Sequence, residues 1–213
     1  TENDHHGYSE MLTHVPILAH GNVKNILIIG GGDGAIAHEI LKHTFIREII
    51  ICEIDEDVIK LSEKYLNNIN FGSLKNSKVK TFFKDAAKFV KDKNYTDYFD
   101  LIIVDRPDPI GPGKSLYFKS FYKNLNNIIN NNGIVVFQNG VPFFQKAELR
   151  QTINKLKNIF YYNGVYLTTI PTYTGGYMAI SWASNKINLI NKKININLLS
   201  NITTKYYSDD IHY

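Results

Sequence analysis

Seven short apolar runs, each bounded by Gly, Asp or Asn, constrain the fold of this chain more than any other feature. The middle runs are nearly continuous in Ile and Val, a pattern typical of strands that are covered on both faces of a parallel sheet. The spacing predicts strands at Lys24–Gly30, Glu48–Ile54, Val79–Asp85, Phe99–Asp105, Gly133–Asn139, Gly164–Ile170 and Met178–Ser184.

Amphipathic segments fill most of the gaps between these runs. They predict helices at Ala35–His43, Asp57–Leu66, Ala86–Lys91, Phe118–Ile129 and Lys146–Phe160. The last two strands are joined only by Pro171–Gly176, which is too short for a crossover helix, so they are expected to pair antiparallel. The expected fold class is therefore α/β: a doubly wound, mostly parallel seven-stranded sheet, Rossmann-like and of the methyltransferase type, with an antiparallel last hairpin.

The length of 213 residues fits a single domain. We expect residues 21–184 to form its core and residues 1–20 to lead into it through a short helix at Tyr8–His14. Residues 185–213 are expected to form a C-terminal extension, with Ile187–Asn201 as a helix or loop on the surface.

Composition excludes several classes of protein. An apolar fraction of 44% is too high for a disordered chain, and no apolar run approaches the roughly 18 residues of a membrane span. The single cysteine, Cys52, excludes a disulfide framework and a thiolate metal site, and it favours a reducing compartment, so we expect a cytoplasmic protein. The net charge of +4 is mild and dispersed, so neither nucleic acid nor a membrane is expected as a partner.

The predicted strands end in acidic residues and glycines. In open parallel sheets, ligands bind outside the carboxyl ends of the strands, so these ends mark the expected site. The first strand runs into a loop with Gly30, Gly32 and Gly34, which fits either a nucleotide-binding loop or a simple tight turn. Glu53, about 20 positions later at the end of the second strand, favours nucleotide binding because its carboxylate can accept hydrogen bonds from both ribose hydroxyls.

Two further acidic positions indicate a cationic ligand. Asp33, inside the glycine loop, would repel a pyrophosphate but would attract an adenosyl sulfonium compound that carries an amine; alternatively, it only caps the following helix. Asp105 and Asp108 lie on a stiff, proline-rich loop and could hold a diamine and take a proton from it. Alternatively, Asp105 caps the strand and Asp108 pairs with Arg106.

Six blocks of the chain carry a recognisable pattern, at Tyr8–Met11, Ile28–Gly34, Cys52–Asp57, Asp105–Pro112, Ile170–Tyr173 and Tyr206–His212. Together and in this order, they resemble the bacterial spermidine synthases, which are polyamine aminopropyltransferases. The resemblance implies transfer of an aminopropyl group from decarboxylated S-adenosylmethionine to putrescine, which yields spermidine and methylthioadenosine.

The resemblance also implies a role for each matching residue. Asp105 corresponds to the catalytic proton acceptor, and the polyamine-binding positions are Tyr8, Ser9, Asp33, Asp105, Asp108 and Tyr173. The positions that bind the donor or methylthioadenosine are Gly30, Gly32, Asp33, Glu53, Asp85, Ala86, Pro112 and Gln138. No cofactor is implied, because decarboxylated S-adenosylmethionine is a co-substrate, and no metal is expected at the adjacent His5 and His6.

The chain departs from the family's pattern at several positions. Ser9 stands where a larger polar residue is common, Ala86 replaces a usual glycine, and Arg106 stands where a small residue separates the two acids, so that it is expected to pair with Asp108. The N-terminal β-rich domain of the family is expected to be missing, and the full-length protein is expected to be a homodimer or homotetramer. A methyltransferase of the same fold and a non-catalytic remnant remain the alternatives.

Overall fold

The strands form one sheet in the computed structural model, which describes residues 1–194, 196–200 and 202–212. They are β1 (Asn25–Gly30), β2 (Glu48–Glu53), β3 (Val79–Phe83), β4 (Phe99–Asp105), β5 (Ile129–Gln138), β6 (Tyr162–Thr169) and β7 (Tyr177–Ser184). Their spatial order is β3-β2-β1-β4-β5-β7-β6. Pairing is parallel from β3 to β5, whereas β7 runs antiparallel to both β5 and β6. The predicted fold class and the antiparallel last hairpin are confirmed.

Helices cover both faces of the sheet. They are α1 (His5–His20), α2 (Ala35–Leu41), α3 (Glu56–Tyr65), α4 (Asn67–Asn70), α5 (Ala86–Phe89), α6 (Lys119–Ile128), α7 (Lys146–Lys157), α8 (Ile196–Leu199) and α9 (Asp209–His212). Short 3₁₀ turns lie at Ser73–Lys75, Lys93–Tyr95, Gly111–Tyr117 and Leu189–Asn191. Within the described residues, none of the helices combines the length and the hydropathy that crossing a membrane requires.

Strand β1 shows how the apolar runs produce this layered core. Successive side chains of a strand point to opposite faces. Ile26 and Ile28 therefore pack with α1 and α2, while Leu27 and Ile29 pack with α5 and α6 on the other face. All four side chains are buried, and each contributes roughly 1.5–3 kcal/mol through loss of contact with water.

Helix α1 is longer than the sequence predicts. The expected helix covers Tyr8–His14, but α1 runs from His5 to His20 and continues through Pro16. Gly21 ends it in a left-handed conformation, with φ of 78° and its N–H donating to the carbonyl of Ile17. Almost every residue of α1 after its first turn is buried, so the helix lacks the one-sided apolar stripe by which sequence patterns reveal amphipathic helices.

Two other boundaries differ from the prediction. Strand β5 begins at Ile129 instead of Gly133, because Ile129 pairs with Phe99. The register then shifts, so that residues 130–133 lie opposite Asp100 alone, where Asn130 hydrogen-bonds its carboxylate. The stretch Ile187–Asn201 is expected on the surface, yet Leu189 is buried in the core and several of its apolar neighbours pack against it. The surface prediction is therefore wrong at Leu189, whereas the other side chains described in this stretch are exposed or half-buried; Asn195 and Asn201 lie outside the described residues.

The loop after β1 packs directly against the end of β4. Gly30 has φ of +80°, and a Cβ atom built on it would lie 2.1 Å from the backbone oxygen of Asp105. Only glycine combines this left-handed conformation with so close a contact. The contact places the loop beside the end of β4, where the candidate site lies.

We expect Gly30→Ala to destabilise the protein more than Gly72→Ala does. Gly72 is a matched control, because it has a similar φ of +75° but a Cβ atom added to it would meet no atom within 4 Å. Gly72→Ala should cost about 1–2 kcal/mol for the left-handed backbone alone. Gly30→Ala should add a further 1–3 kcal/mol or so for the steric overlap. Urea unfolding midpoints measure the stability of both variants. Equal losses of stability in Gly30→Ala and Gly72→Ala would contradict the close packing of the loop.

Candidate active site

A cavity of about 840 Å³ opens at the carboxyl ends of the central strands. Because parallel strands end at the same edge of a sheet, residues far apart in the chain meet there. The sequence-predicted residues that line it are Tyr8, Gly30, Asp33, Glu53, Asp85, Ala86, Asp105, Asp108, Pro112, Gln138 and Tyr173.

Two predicted site residues do not line the cavity. Ser9 is fully buried in α1, where its hydroxyl donates to the backbone carbonyl of His5 at 3.0 Å. One residue along a helix is a rotation of about 100°, so Tyr8 faces the cavity while Ser9 faces the protein interior. Gly32 lies beneath Glu53, and a Cβ atom added to it would lie 3.1 Å from that residue's Oε2 atom. The predicted contacts of Ser9 and Gly32 with a ligand are therefore not supported by this geometry.

Asp105 occupies the centre of the site, at the end of β4. Its carboxylate accepts a short hydrogen bond from the Tyr8 hydroxyl and another from the backbone N–H of Gly31. Burial raises the pKa of Asp105 to about 6, helped by the negative charges of Asp33 and Glu53, whereas the two hydrogen bonds act in the opposite direction. A carboxyl group with this pKa is mostly ionised at neutral pH and is still basic enough to take up a proton.

Tyr8 remains the hydrogen-bond donor in this pair. Burial and the adjacent charge of Asp105 raise the pKa of the Tyr8 phenol well above its usual value, so the hydroxyl keeps its proton. Because Tyr8 belongs to α1, the site depends on the docking of that helix against the sheet.

Backbone N–H groups orient the acids on the other side of the cavity. Oε1 of Glu53 accepts from the N–H groups of Ile54 and Asp55 at 2.7 and 3.1 Å. Oδ1 of Asp85 accepts from the N–H of Ala87 at 2.8 Å. These bonds fix both carboxylates at the ends of their strands and leave the groups facing the cavity.

Asp33 combines the two interpretations that its sequence position left open. Its Oδ1 atom accepts from the N–H of Ala35, the first residue of α2, at 3.0 Å, although the N-cap position itself is Gly34. The residue also lines the cavity. The hydrogen bond to Ala35 therefore fixes the orientation of Asp33 and still leaves its carboxylate in the cavity wall.

Arg106 does not pair with Asp108, contrary to the prediction. Its guanidinium is buried on the opposite side of the chain from Asp105, because successive residues at the end of a strand point in opposite directions. There it stacks over the ring of Tyr117, with 3.8 Å between the guanidinium carbon and the ring centre. Its two terminal nitrogens donate to the Leu116 carbonyl, the hydroxyls of Tyr122 and Thr152, and the Asn139 side-chain oxygen.

Asp108 has a different partner, which sequence reasoning missed. The Nε2 atom of Gln145 donates to Oδ1 of Asp108 at 2.7 Å, and Gln145 itself lines the cavity. No motif surrounds Gln145; the only signal was its place shortly after the end of β5. His5 also lines the cavity, and burial lowers the pKa of its imidazole, which favours the neutral ring.

The net electrostatics of the cavity are acidic, although the whole chain is basic. The acidic residues of its lining are Asp4, Asp33, Glu53, Asp85, Asp105 and Asp108. The basic side chains among the lining residues are Lys84 and Arg106, and the Arg106 guanidinium is engaged inside the protein. Such a cavity favours a cationic ligand, and its central carboxyl group can accept a proton from it.

Another group of possible metal ligands lies outside this cavity. His6, Glu10 and Glu39 place ligand atoms within 4.8 Å of one another. Both carboxylates are already engaged: Glu10 accepts from the backbone N–H groups of residues 205–207, and Glu39 bonds His14 and Lys42. The group ties α1 to α2 and to the C-terminal segment.

Comparison with known proteins places the chain in a family. Residues 5–194 match the family model described as the spermine/spermidine synthase domain. A polyamine aminopropyltransferase of Ruegeria sp. (strain TM1040) is 41% identical, with 100% of this chain and 75% of the relative covered. A polyamine aminopropyltransferase of Shigella boydii is 42% identical, and the match covers 100% of this chain and 74% of the relative.

Solved structures agree with this assignment. A spermidine synthase in complex with the transition-state analogue AdoDATO superposes with a TM-score of 0.93 at 32% identity, covering 100% of this chain and 72% of the other. The spermidine synthase of Thermotoga maritima superposes with a TM-score of 0.91 at 31% identity, and the match covers 100% of this chain and 71% of the other. From the family match, the relatives and the fold together, the chain belongs to the spermine/spermidine synthase family of aminopropyltransferases.

Proposed function

We propose that this chain is a spermidine synthase, with residues 1–213 forming one catalytic domain. It transfers the aminopropyl group of decarboxylated S-adenosylmethionine to putrescine and releases spermidine and methylthioadenosine. The observation that carries the proposal is the partly buried Asp105 carboxyl group, bonded to Tyr8 in an acid-lined cavity beside the glycine loop.

Asp105 acts as the base in this proposal. An amine of putrescine has a pKa near 10, like that of Lys, so it enters the site as an ammonium. Asp105 takes the proton, and the lone pair of the amine attacks the propyl carbon next to the sulfonium. The C–S bond breaks, its electron pair stays on sulfur, and neutral methylthioadenosine leaves.

The acids divide the cavity into two halves. In the donor half, Asp33 binds the ammonium of the aminopropyl arm and Glu53 binds the ribose hydroxyls. Asp85 and Ala86 contact the adenine, and Gly30, Pro112 and Gln138 line the same half. In the acceptor half, Asp108, Tyr8 and Tyr173 hold putrescine with its reacting amine against Asp105.

Electrostatics account for the concentration of acids. A doubly charged diamine and a sulfonium repel each other, and the carboxylates of the cavity offset that repulsion. Catalysis then comes from positioning and one proton transfer, so the proposed reaction requires neither a metal nor a cofactor. We further propose that the full-length protein acts in the cytoplasm as a homodimer or homotetramer.

Asp33→Asn and Glu53→Gln should affect donor binding differently. Decarboxylated S-adenosylmethionine carries the ammonium that Asp33 would bind, whereas methylthioadenosine lacks it. Asp33→Asn should therefore weaken only the donor, while Glu53→Gln should weaken both ligands, in each case by about 1–3 kcal/mol. Calorimetric titration measures both affinities. Equal losses for both ligands in Asp33→Asn would mean that Asp33 only shapes the glycine loop.

Turnover by the purified full-length protein and by its Asp105→Asn variant tests the reaction. With decarboxylated S-adenosylmethionine and putrescine, the full-length protein should form spermidine and methylthioadenosine in equal amounts. Asp105→Asn should lower turnover by about 10²–10⁴-fold because it preserves the shape and removes the base. Methylthioadenosine binding should survive, and raising the pH toward 10 should partly restore the rate by deprotonating the amine.

Two results would contradict this assignment. Methyl transfer from S-adenosylmethionine in place of aminopropyl transfer would indicate a methyltransferase, although Asp33 disfavours the carboxylate of that donor. Near-normal turnover of Asp105→Asn together with an inactive Asp108→Asn would assign the base to the other carboxylate.

A further inference from the structure

Every polar atom of the Gln145 side chain is engaged at the acceptor end of the cavity. Its Nε2 atom donates to Oδ1 of Asp108 at 2.7 Å and to Oε2 of Glu148 at 3.1 Å. Its Oε1 atom accepts from the backbone N–H of Val141 at 2.8 Å. The carboxamide is therefore held in one orientation just before α7.

The backbone near Gln145 is shaped to admit this side chain. Gly140 has φ of +68°, and a Cβ atom built on it would lie 2.0 Å from Oε1 of Gln145. A side chain at position 140 would displace the carboxamide from its place. The position of the Gln145 carboxamide between Asp108 and Glu148 thus depends on the backbone turn at Gly140 as well as on the hydrogen bonds of the carboxamide.

Asp108 and Glu148 share the one amide nitrogen as their donor. Both carboxylates also act on Tyr117: burial is the main cause of its raised phenol pKa, the charge of Arg106 opposes it, and the negative charges of the two acids add to it. An NH₂ group between two carboxylates occupies the place in which an ammonium would fit, but it carries no charge to offset them.

We propose that Gln145 is a specificity-determining residue, which restricts the acceptor to a diamine. The inference rests on the proposed function, in which Asp108 holds the distal ammonium of putrescine. An acceptor longer by one aminopropyl arm carries a third ammonium, and the second carboxylate bonded to the Gln145 amide, that of Glu148, is the proposed partner for it. The Gln145 amide fills the space between the two acids and closes that position to the third ammonium.

Competition between two acceptors tests this proposal. The wild-type protein and Gln145→Ala are each given putrescine and spermidine together, and the ratio of spermine to spermidine formed is measured. Gln145→Ala should raise this ratio by about fivefold or more, the effect expected of one ion pair at a partly exposed site. Gln145→Met is the matched control, because it fills the same space without donating, and it should leave the ratio low. The double variant Gln145→Ala/Glu148→Gln should show no rise in the ratio of spermine to spermidine, because the carboxylate proposed to bind the third ammonium has been removed.

An unchanged ratio in Gln145→Ala, or an equal rise in Gln145→Met, would overturn the proposal. Methylthioadenosine binding verifies that each variant is folded; if Gln145→Ala fails this control, Gln145→Asn withdraws the amide by one methylene and replaces it in the test. Calorimetric titration with the two amines gives the same affinity ratio without turnover. A wild-type protein that forms no spermidine would contradict the proposed function, whereas an active protein with a constant ratio would contradict only the role of Gln145.

Discussion

The partial burial of one carboxyl group, that of Asp105, is the constraint on which the rest of the site depends. Glycines in the loop after β1 allow the backbone to pack against the end of β4, and α1 brings the Tyr8 hydroxyl to the same carboxylate. Enclosed in this way among other acids, Asp105 has a pKa of about 6, which suits a base at neutral pH. The fold therefore contributes to the chemistry by shielding one acid in part from water and by placing it among other acids.

Most of the fold could be predicted because its physical signals are local. Runs of Ile and Val indicate strands covered on both faces, and the short link Pro171–Gly176 leaves no room for a crossover helix. The predicted bounds of helices and strands are wrong where tertiary packing outweighs the local sequence pattern. Helix α1 is buried on nearly all sides and shows no amphipathic stripe. Strand β5 begins early because Ile129 pairs with Phe99 before an irregularity that contains the polar residues.

The candidate site was predictable to the extent that topology alone determines it. The ends of parallel strands lie at the same edge of the sheet, so Glu53, Asp85 and Asp105 could be placed near one another from the sequence. The direction in which an individual side chain points could not be predicted from the sequence. Ser9 turns inward by one helical step, and Arg106 points away from the acids on either side of it. Gln145 belongs to no motif, and only the folded chain brings it to Asp108.

Titration of the Asp105 carboxyl group tests the account most directly. Carbon-13 NMR of aspartate carboxyl groups, with Asp105→Asn to assign the signal, reports this group in the ligand-free protein. The account predicts an apparent pKa of about 6, and a still higher value in Tyr8→Phe, because the hydrogen bond from Tyr8 lowers it. A pKa near 4, the ordinary value for an aspartate, would contradict the claim that burial prepares Asp105 to act as the base.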